Sequence, residues 1–398
     1  MQYRLDERSG NKLSVLGFGC MRLSRGATGI DQKKAERLIL RAIDKGVNYF
    51  DTAYLYPGAE AALGTVLARN GVREKVYVAT KIPFSHCKAR ADFDKYLTAQ
   101  LAALCTDYID YYLMHNINTV AQWEALCELG VLEWIAEMKA AGSIRQVGFS
   151  FHGAKAEFPK LLTAYDWDFC QIQLNYANES YQAGLDGLKL AGERRVPVMI
   201  MEPLLGGKLA NGLAPSAASA FRRVHATRSA AAWGLRWLWN RPEVTVVLSG
   251  MNEVTQLDDN ASAAEAAEPW CLTEAELRAY EEVVEVFKRT DKVPCTGCSY
   301  CMPCPVGVNI PACFASYNAS YTHGRIASYT MYITSTAANR VKNSRASNCV
   351  KCGKCEAHCP QDIAIRKELG NVTRRMEPPY LRAGLAVMRR RKARRDKR

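Results

Sequence analysis

Two short runs of cysteines have a spacing suited to metal chemistry. The first run is Cys295, Cys298, Cys301 and Cys304, and the second is Cys349, Cys352, Cys355 and Cys359. The second run matches the bacterial ferredoxin pattern, in which three neighbouring cysteines bind one [4Fe–4S] cluster and the cysteine before proline binds another. A zinc ribbon would instead use two separated Cys-x2-Cys pairs. The spacing therefore favours iron–sulfur clusters.

The first run is one residue shorter than the usual pattern, but Cys304-Pro305 has the form of the remote ligand. Eight ligands divide most simply into two [4Fe–4S] clusters that exchange one cysteine. One cluster would use Cys295, Cys298, Cys301 and Cys359, and the other would use Cys349, Cys352, Cys355 and Cys304. The alternative is that each run binds its own cluster. We expect two clusters.

A second set of polar residues follows short apolar runs earlier in the chain. The set is Asp51, Tyr56, Lys81, His115, Ser150, Gln171, Glu202 and Ser249. Any one of them could be an ordinary polar residue at a strand end, but together they suit proton delivery to a carbonyl. A cation such as Lys81 beside Tyr56 would stabilise the phenolate and lower a pKa that is ordinarily near 10. Asp51 would hold Lys81, and His115 would orient the carbonyl oxygen.

Elements that could position these residues alternate along the chain. Strand-like runs are LSVLGFGCMRL, VNYFDTA, KVYVATKI, YIDYYLMHN, IRQVGFS, FCQIQLNY, VPVMIMEP and VTVVLSG. Helical periodicity follows each, near 31–45, 59–69, 91–105, 120–141, 228–239 and 253–266 among others, with a further helix at 272–289. Eight such units, without Gly-x-Gly-x-x-Gly after the first strand, predict a closed (β/α)8 TIM barrel rather than a doubly wound sheet. Because a barrel carries its chemistry where its strands end, the polar set would share one mouth.

The motifs NYFDTAYLYPGAE, VYVATK, YYLMHN and RQVGFS resemble those of the aldo-keto reductase superfamily, in order and spacing, over roughly residues 10 to 265. The resemblance implies a tetrad of Asp51, Tyr56, Lys81 and His115, with Tyr56 as the proton donor and acceptor in nicotinamide-dependent carbonyl reduction. It also implies NAD(P)H contacts from Ser150, Gln171, Leu204, Gly206, Gly207, Lys208, Gly250, Gln256 and Asn260. Ser150 and Gln171 would face the carboxamide, and the glycine-rich turns would approach the pyrophosphate with backbone N–H groups.

Two positions and one stretch depart from the family pattern. Phe151 follows Ser150 where the family usually has Asn, and Met201 stands where an aromatic residue usually stacks on the nicotinamide. The stretch SGMNEVTQLDDN lacks the Lys and Arg that often clamp a 2′-phosphate. Since that clamp distinguishes NADP from NAD by charge, its absence leaves the choice open and slightly favours NAD.

The length and the charge distribution fit a two-domain enzyme. With 398 residues and 48% apolar residues, the chain can bury a barrel-sized core and a smaller one. We expect an α/β barrel domain at 1–270, a connecting helix at 271–293, a small, mostly helical ferredoxin-like iron–sulfur domain at 294–370, and a basic, disordered tail at 371–398. The net charge is +13, but eight basic residues and one acidic residue lie in the last eleven residues. With no nucleic-acid-binding motif, we expect no specific nucleic-acid partner.

We expect a cytoplasmic protein, because the chain shows no secretory signal and no run of about 18 apolar residues. Isolated cysteines also indicate a reducing compartment. The whole chain resembles the ferredoxin-tailed branch of the aldo-keto reductases. This implies an oxidoreductase acting on a small carbonyl or alcohol, whose clusters exchange electrons with a partner protein or a bound flavin, since hydride carries two electrons and each cluster accepts one.

Two alternatives remain. The protein could be a nicotinamide-dependent carbonyl reductase whose clusters are structural or oxygen-sensing. It could also be a non-catalytic electron-transfer or regulatory protein, which predicts a broken tetrad at the barrel mouth. The sequence has all four tetrad residues, and this favours an enzyme.

Overall fold

The computed structural model describes residues 1–27, 29–322 and 324–395. Contacts within the chain divide it into two compact units. The barrel unit comprises Met1–Leu204 and Ala231–Thr273. The cysteine-rich unit comprises Leu205–Ala230 and the chain from Glu274 onward. The domain limits predicted from sequence remain predictions. The segment Leu205–Ala230 lies within the barrel sequence but groups with the cysteine-rich unit, and we call it the excursion.

Eight parallel strands close the barrel unit, each pairing with its sequence neighbours and the last pairing with the first. They are β1 Leu16–Gly19, β2 Tyr49–Asp51, β3 Tyr77–Ile82, β4 Ile109–Met114, β5 Ile144–Phe151, β6 Phe169–Gln173, β7 Val198–Met201 and β8 Val244–Ser249. Seven of them lie within predicted strand segments, and β5 extends one residue beyond its predicted segment, to Phe151. The predicted (β/α)8 barrel is therefore confirmed.

Helices follow the strands of the barrel unit. They are Gln32–Asp44, Ala59–Arg69, Arg90–Leu104, Val120–Glu128, Val131–Ala140, Phe158–Thr163, Gly184–Glu193, Ala230–Trp239 and Val254–Ala263. The single helix predicted at 120–141 is two helices, because Gly130 adopts a φ of 82° that ends one helical path and starts another. The other predicted helices agree with observed ones to within a few residues.

An N-terminal hairpin formed by Tyr3–Leu5 and Lys12–Ser14 precedes the first barrel strand. Leu13, from its second strand, is fully buried in a cluster with Tyr49 and Phe169, the first residues of β2 and β6. This end of the barrel is therefore filled by apolar side chains. The strand ends that remain for chemistry are the C-terminal ones, as in other barrels of this type.

The cysteine-rich unit is mostly helical. Its helices are Lys208–Asn211, Pro215–Val224, Glu274–Thr290, Ile310–Thr322, Arg325–Ser335, Ile365–Met376 and Pro379–Arg395. Ile310, Phe314, Ile365 and Leu369 belong to its buried core, and cysteines of both runs pack against that core. Helix Pro215–Val224, from the excursion, packs on helix Glu274–Thr290 through the rings of Phe221 and Tyr280, whose centroids are 5.4 Å apart.

The helix Pro379–Arg395 covers most of the range in which the sequence predicts disorder. Leu385, within it, is fully buried. None of the helices in the described ranges is both long and apolar enough to cross a membrane.

Candidate functional site

A buried ion pair joins two adjacent barrel strands at their C-terminal ends. Lys81 on β3 donates through Nζ to Asp51 Oδ2 at 2.5 Å and to the carbonyl of Thr52 at 2.7 Å. The side chains of Lys81 and Asp51 are 1% and 5% exposed. Burial raises the pKa of Asp51, and the adjacent ammonium of Lys81 opposes that rise. A charge buried this deeply needs both acceptors, so Lys81 has a fixed position.

The rings of Tyr56 and His115 lie beside this pair. Lys81 Nζ is 5.2 Å from the centroid of the Tyr56 ring, and the His115 ring meets Tyr56 edge to face at 6.0 Å. Burial lowers the pKa of His115 well below its usual value, and Lys81 adds to the shift. The imidazole is therefore neutral at ordinary pH. The structure brings all four predicted tetrad residues together.

A buried polar network that sequence reasoning missed contacts the backbone of Lys81. Glu60 Oε1 accepts hydrogen bonds from Thr80 Oγ1 at 2.5 Å and from Gln100 Nε2 at 2.7 Å. Gln100 also donates to the carbonyl of Lys81 at 3.1 Å and accepts from Tyr112 Oη at 2.7 Å. Burial raises the pKa of Glu60. The sequence did contain a signal for a buried carboxylate: Glu60 lies three and seven residues before Leu63 and Leu67, which places it on the apolar face of its helix.

Ser150 and Gln171 lie opposite each other in the pairing of β5 with β6. Ser150 Oγ accepts a hydrogen bond from the Asn116 backbone at 2.7 Å, which leaves its own O–H able to donate. Within the described residues, the buried Oε1 of Gln171 has no hydrogen-bond partner. A buried acceptor without a donor is costly, and a primary carboxamide could satisfy it. These two residues therefore fit the amide group of a nicotinamide.

Phe151 and Met201, the two positions that depart from the family pattern, both pack against apolar side chains. Phe151 is fully buried and packs against Phe158 in the following helix, with ring centroids 5.2 Å apart. It cannot replace the hydrogen bonds of an Asn. His152 follows, and burial lowers its pKa to about 4 while a contact with Gln182 opposes the shift. Met201 at the end of β7 is partly buried against the barrel core.

The predicted nucleotide residues after β8 mostly shape the local backbone. Gln256 Oε1 accepts from the backbone N–H groups of Asn252 and Glu253 at 2.9 and 3.3 Å, which caps helix Val254–Ala263. Asn260 Nδ2 donates to Ser249 Oγ at 3.0 Å. A Cβ at Gly250 would lie 3.0 Å from the Arg22 side chain. Glycine at this position therefore lets the chain pass close to Arg22.

The turn after β7 is strongly bent and belongs mostly to the cysteine-rich unit. Leu204 is the last residue of the barrel unit before it. Leu205, Gly206 and Gly207 all have positive φ, at 47°, 68° and 95°. A Cβ on Gly206 would lie 2.1 Å from the carbonyl oxygen of Thr296, in the first cysteine run. Only glycine permits this approach.

Lys208 has different contacts from those that the family resemblance implies. Its Nζ donates to both carboxylate oxygens of Asp291, at 2.6 and 2.8 Å, and to the carbonyl of Val293 at 3.0 Å. Asn318 Nδ2 donates to Asp291 at 2.5 Å and to the same carbonyl at 2.7 Å. The Cys295 backbone N–H also donates to that carbonyl. Lys208 therefore braces the entry to the first cysteine run.

The eight cysteines of the two runs line two separate cavities. Cys295, Cys298 and Cys301 share one cavity with Cys359, and Cys349, Cys352 and Cys355 share the other with Cys304. About 310 Å³ of space free of protein atoms lies at each site, and this volume includes space open to solvent. This is the exchanged arrangement considered in the sequence analysis.

The chemistry of these cavities fits iron–sulfur clusters. Burial raises the pKa of Cys295 to about 11 and that of Cys301 to about 12, so iron must displace protons from these thiols on binding. In the described ranges no three His, Cys, Asp or Glu side chains converge on a single metal ion. Four thiolates around a cubane need not converge, because each binds a different iron atom.

Two family descriptions match the chain. Residues 15–283 match the aldo/keto reductase family, and residues 294–364 match a 4Fe-4S dicluster domain. The sequence is 26% identical to an uncharacterized oxidoreductase, YrpG, from Bacillus subtilis over 67% of this chain and 91% of that protein. It is 31% identical to the methylglyoxal reductase YeaE of Escherichia coli over 54% of this chain and 74% of that protein.

Solved structures agree on the fold. The aldo-keto reductase AKR11C1 of Bacillus halodurans aligns with a TM-score of 0.57 at 24% identity, over 71% of this chain and 96% of that one. An aldo/keto reductase of Klebsiella pneumoniae in complex with NADP and acetate aligns with a TM-score of 0.58 at 21% identity, over the same shares. Because the family match covers residues 15–283, the chain belongs to the aldo/keto reductase family of oxidoreductases, and it carries a 4Fe-4S dicluster domain.

Proposed function

We propose that the barrel mouth reduces a small carbonyl compound, or oxidises the corresponding alcohol, with NAD(P)H as the dinucleotide. The observation that carries this proposal is the buried Lys81–Asp51 pair beside the Tyr56 ring. A cation held next to a tyrosine favours the phenolate, so Tyr56 can give up its proton. When bound, the nicotinamide supplies hydride.

The four tetrad residues then divide the remaining work. Tyr56 donates a proton to the oxygen of the reduced carbonyl and accepts it in the reverse direction. Lys81 stabilises the resulting phenolate, and Asp51 keeps Lys81 charged and fixed. Neutral His115 orients the substrate oxygen without competing as an acid. Ser150 and Gln171 bind the carboxamide; Gly250, Gln256, Asn260 and Leu204 lie along the rest of the dinucleotide.

The proposed substrate class comes from a relative. YeaE is named a methylglyoxal reductase, and we propose a small aldehyde or dicarbonyl compound as substrate. Methylglyoxal with NADPH, and then with NADH, is the first assay. The comparison of the two dinucleotides settles the choice that the missing basic clamp leaves open.

Replacing Tyr56 by Phe tests the assignment. The Phe variant lacks the proton donor, so carbonyl reduction should fall by about 10²-fold or more, the usual scale for a general acid. Dinucleotide binding, measured by protein fluorescence, should change little, because the ring remains. Turnover close to that of the wild type would rule out Tyr56 as the proton donor.

For the dicluster domain we propose two [4Fe–4S] clusters with exchanged ligands, which pass electrons to or from a partner protein. Cys359→Ser should damage the cluster bound mainly by the first run, although Cys359 belongs to the second run. Cys304→Ser should damage the other cluster. Iron counting and electron paramagnetic resonance on both variants decide the matter. Loss of the cluster of the mutated run in each case would instead support self-contained runs.

A bound flavin is the alternative intermediary between hydride and the clusters, because it can accept two electrons and release them singly. Extraction of flavin from protein purified without oxygen would support it. We propose the cytoplasm as the location, since the scattered cysteines suit a reducing compartment.

A further inference from the structure

The two cysteine cavities differ in their access to solvent. Among the eight described cysteines of the two runs, Cys352 alone is exposed, and the others are partly buried. Cys352 lines the second cavity together with Val306 and Val350. These valines are 38% and 64% exposed, so the second cavity opens at the surface through an apolar rim.

The surrounding chain is strongly cationic. From Lys292 to Cys355 the sequence contains no Asp or Glu, but it contains seven Lys and Arg residues. Two of them, Lys351 and Lys354, are exposed and flank Cys352. The acidic residue that follows, Glu356, already pairs with Arg366 at 2.6 Å. The rim therefore presents two exposed lysines beside an apolar patch.

We propose that this rim, defined by Val306, Val350, Lys351, Cys352 and Lys354, is the docking surface for an acidic one-electron carrier protein. The proposal rests on the proposed second cluster. One electron leaves the reduced carrier and enters the cluster held by Cys352, so the carrier is oxidised and the cluster reduced. No bond forms or breaks, and no proton needs to move.

Both features of the rim suit such a partner. Complementary charge raises the rate of encounter and orients the two proteins, and it does so less as salt increases. A small apolar centre excludes water at the contact, and redox encounters commonly use small interfaces. A polyanion such as RNA would use the lysines but would gain nothing from the valines, and this difference can be measured.

The experiment uses the full chain with its clusters, under anaerobic conditions. A reduced, acidic plant-type [2Fe–2S] ferredoxin is the probe, and stopped-flow absorbance follows reduction of the clusters. The double variant Lys351→Glu/Lys354→Glu should take electrons from this ferredoxin at least tenfold more slowly at low salt, and the difference from wild type should shrink at high salt. Reduction by dithionite should be unchanged.

The matched control is Lys45→Glu/Lys75→Glu, which makes the same charge change at exposed positions of the barrel unit. It should behave as the wild type does. Val350→Ser provides an independent test that keeps the charge: it should slow ferredoxin oxidation several-fold at both salt concentrations. Iron content should stay the same in all these variants.

Three results would overturn the proposal. They are equal rates for the two double variants, normal rates for Val350→Ser, and a wild-type protein that dithionite reduces but the acidic ferredoxin does not. None of them bears on carbonyl reduction, which the Tyr56→Phe assay tests separately. A protein without iron would overturn both the rim and the proposed clusters, again without touching the barrel chemistry.

Discussion

Two lysine–aspartate pairs, one buried in the barrel unit and one partly buried in the cysteine-rich unit, have the same chemistry but different surroundings. In the barrel unit, Lys81 contacts one carboxylate oxygen of Asp51 and one carbonyl, and it lies beside the ring of Tyr56. In the cysteine-rich unit, Lys208 contacts both oxygens of Asp291 and one carbonyl. An ammonium group has three hydrogens to donate, and Lys208 uses all of them on these acceptors.

We propose that this difference separates a lysine that acts in catalysis from one that only fixes the structure. In the proposed function Lys81 acts on Tyr56, and its Nζ is 5.2 Å from the centroid of that ring. A lysine whose donors all go to one carboxylate and one backbone carbonyl fixes the chain at that point. Both residues are lysines paired with an aspartate, so these features do not distinguish the two roles. The distinguishing neighbour is the Tyr56 ring beside Lys81 and the second carboxylate oxygen of Asp291 beside Lys208.

The largest effect that we expect is the loss of catalysis when Lys81 is replaced. Lys81→Met should lower carbonyl reduction by about 10²-fold or more, because Tyr56 loses the cation that stabilises its phenolate. Cluster content should remain at the wild-type level. Steady-state kinetics and iron counting measure the two quantities on one preparation, and circular dichroism checks that the barrel is folded.

Lys208→Met should have a smaller effect, and it should lower the stability of the cysteine-rich unit rather than the rate of catalysis. Removing one partner of a buried pair leaves an uncompensated charge, which costs about 3 kcal/mol, the low end of the range because the Lys208 side chain is 20% exposed. The cysteine-rich unit should unfold earlier and lose iron faster, while the kcat of carbonyl reduction stays near normal. Denaturant titration followed by cluster absorbance measures the change.

The double variant Lys208→Met/Asp291→Leu is the matched control for this prediction. It removes the stranded carboxylate, so it should regain part of the lost stability. If Lys208→Met reduced turnover as much as Lys81→Met did, while the clusters stayed intact, the two lysines would not differ in the way we describe.

The sequence was sufficient for features that depend on local pattern. Alternating strand and helix signals predicted all eight barrel strands, and the residue types at the strand ends predicted the four side chains that meet at the mouth. The spacing of the cysteines predicted iron–sulfur chemistry. These features follow from periodicity and from the fixed topology of a barrel.

Several other contacts between distant segments were not predicted. The position of Lys208 in a glycine-rich turn suggested phosphate binding, but nothing near it in sequence indicates Asp291 or Val293. The Glu60 network joins two helices and two strands in the same way. The break at Gly130 was missed for a local reason, since one glycine in a long apolar pattern can be either tolerated or a helix end.

The discontinuous cysteine-rich unit also limits how the two halves of this protein can be recombined. Its excursion, Leu205–Ala230, lies within the barrel sequence, and there Gly206 fits against Thr296 and Phe221 against Tyr280. A single cut after residue 273 would remove Thr296 and Tyr280 and leave the excursion with an unprotected apolar helix face. Transplanting the iron–sulfur module onto another barrel would therefore require two segments to be moved together, and a gene fusion that appended only the C-terminal one would leave the module incomplete.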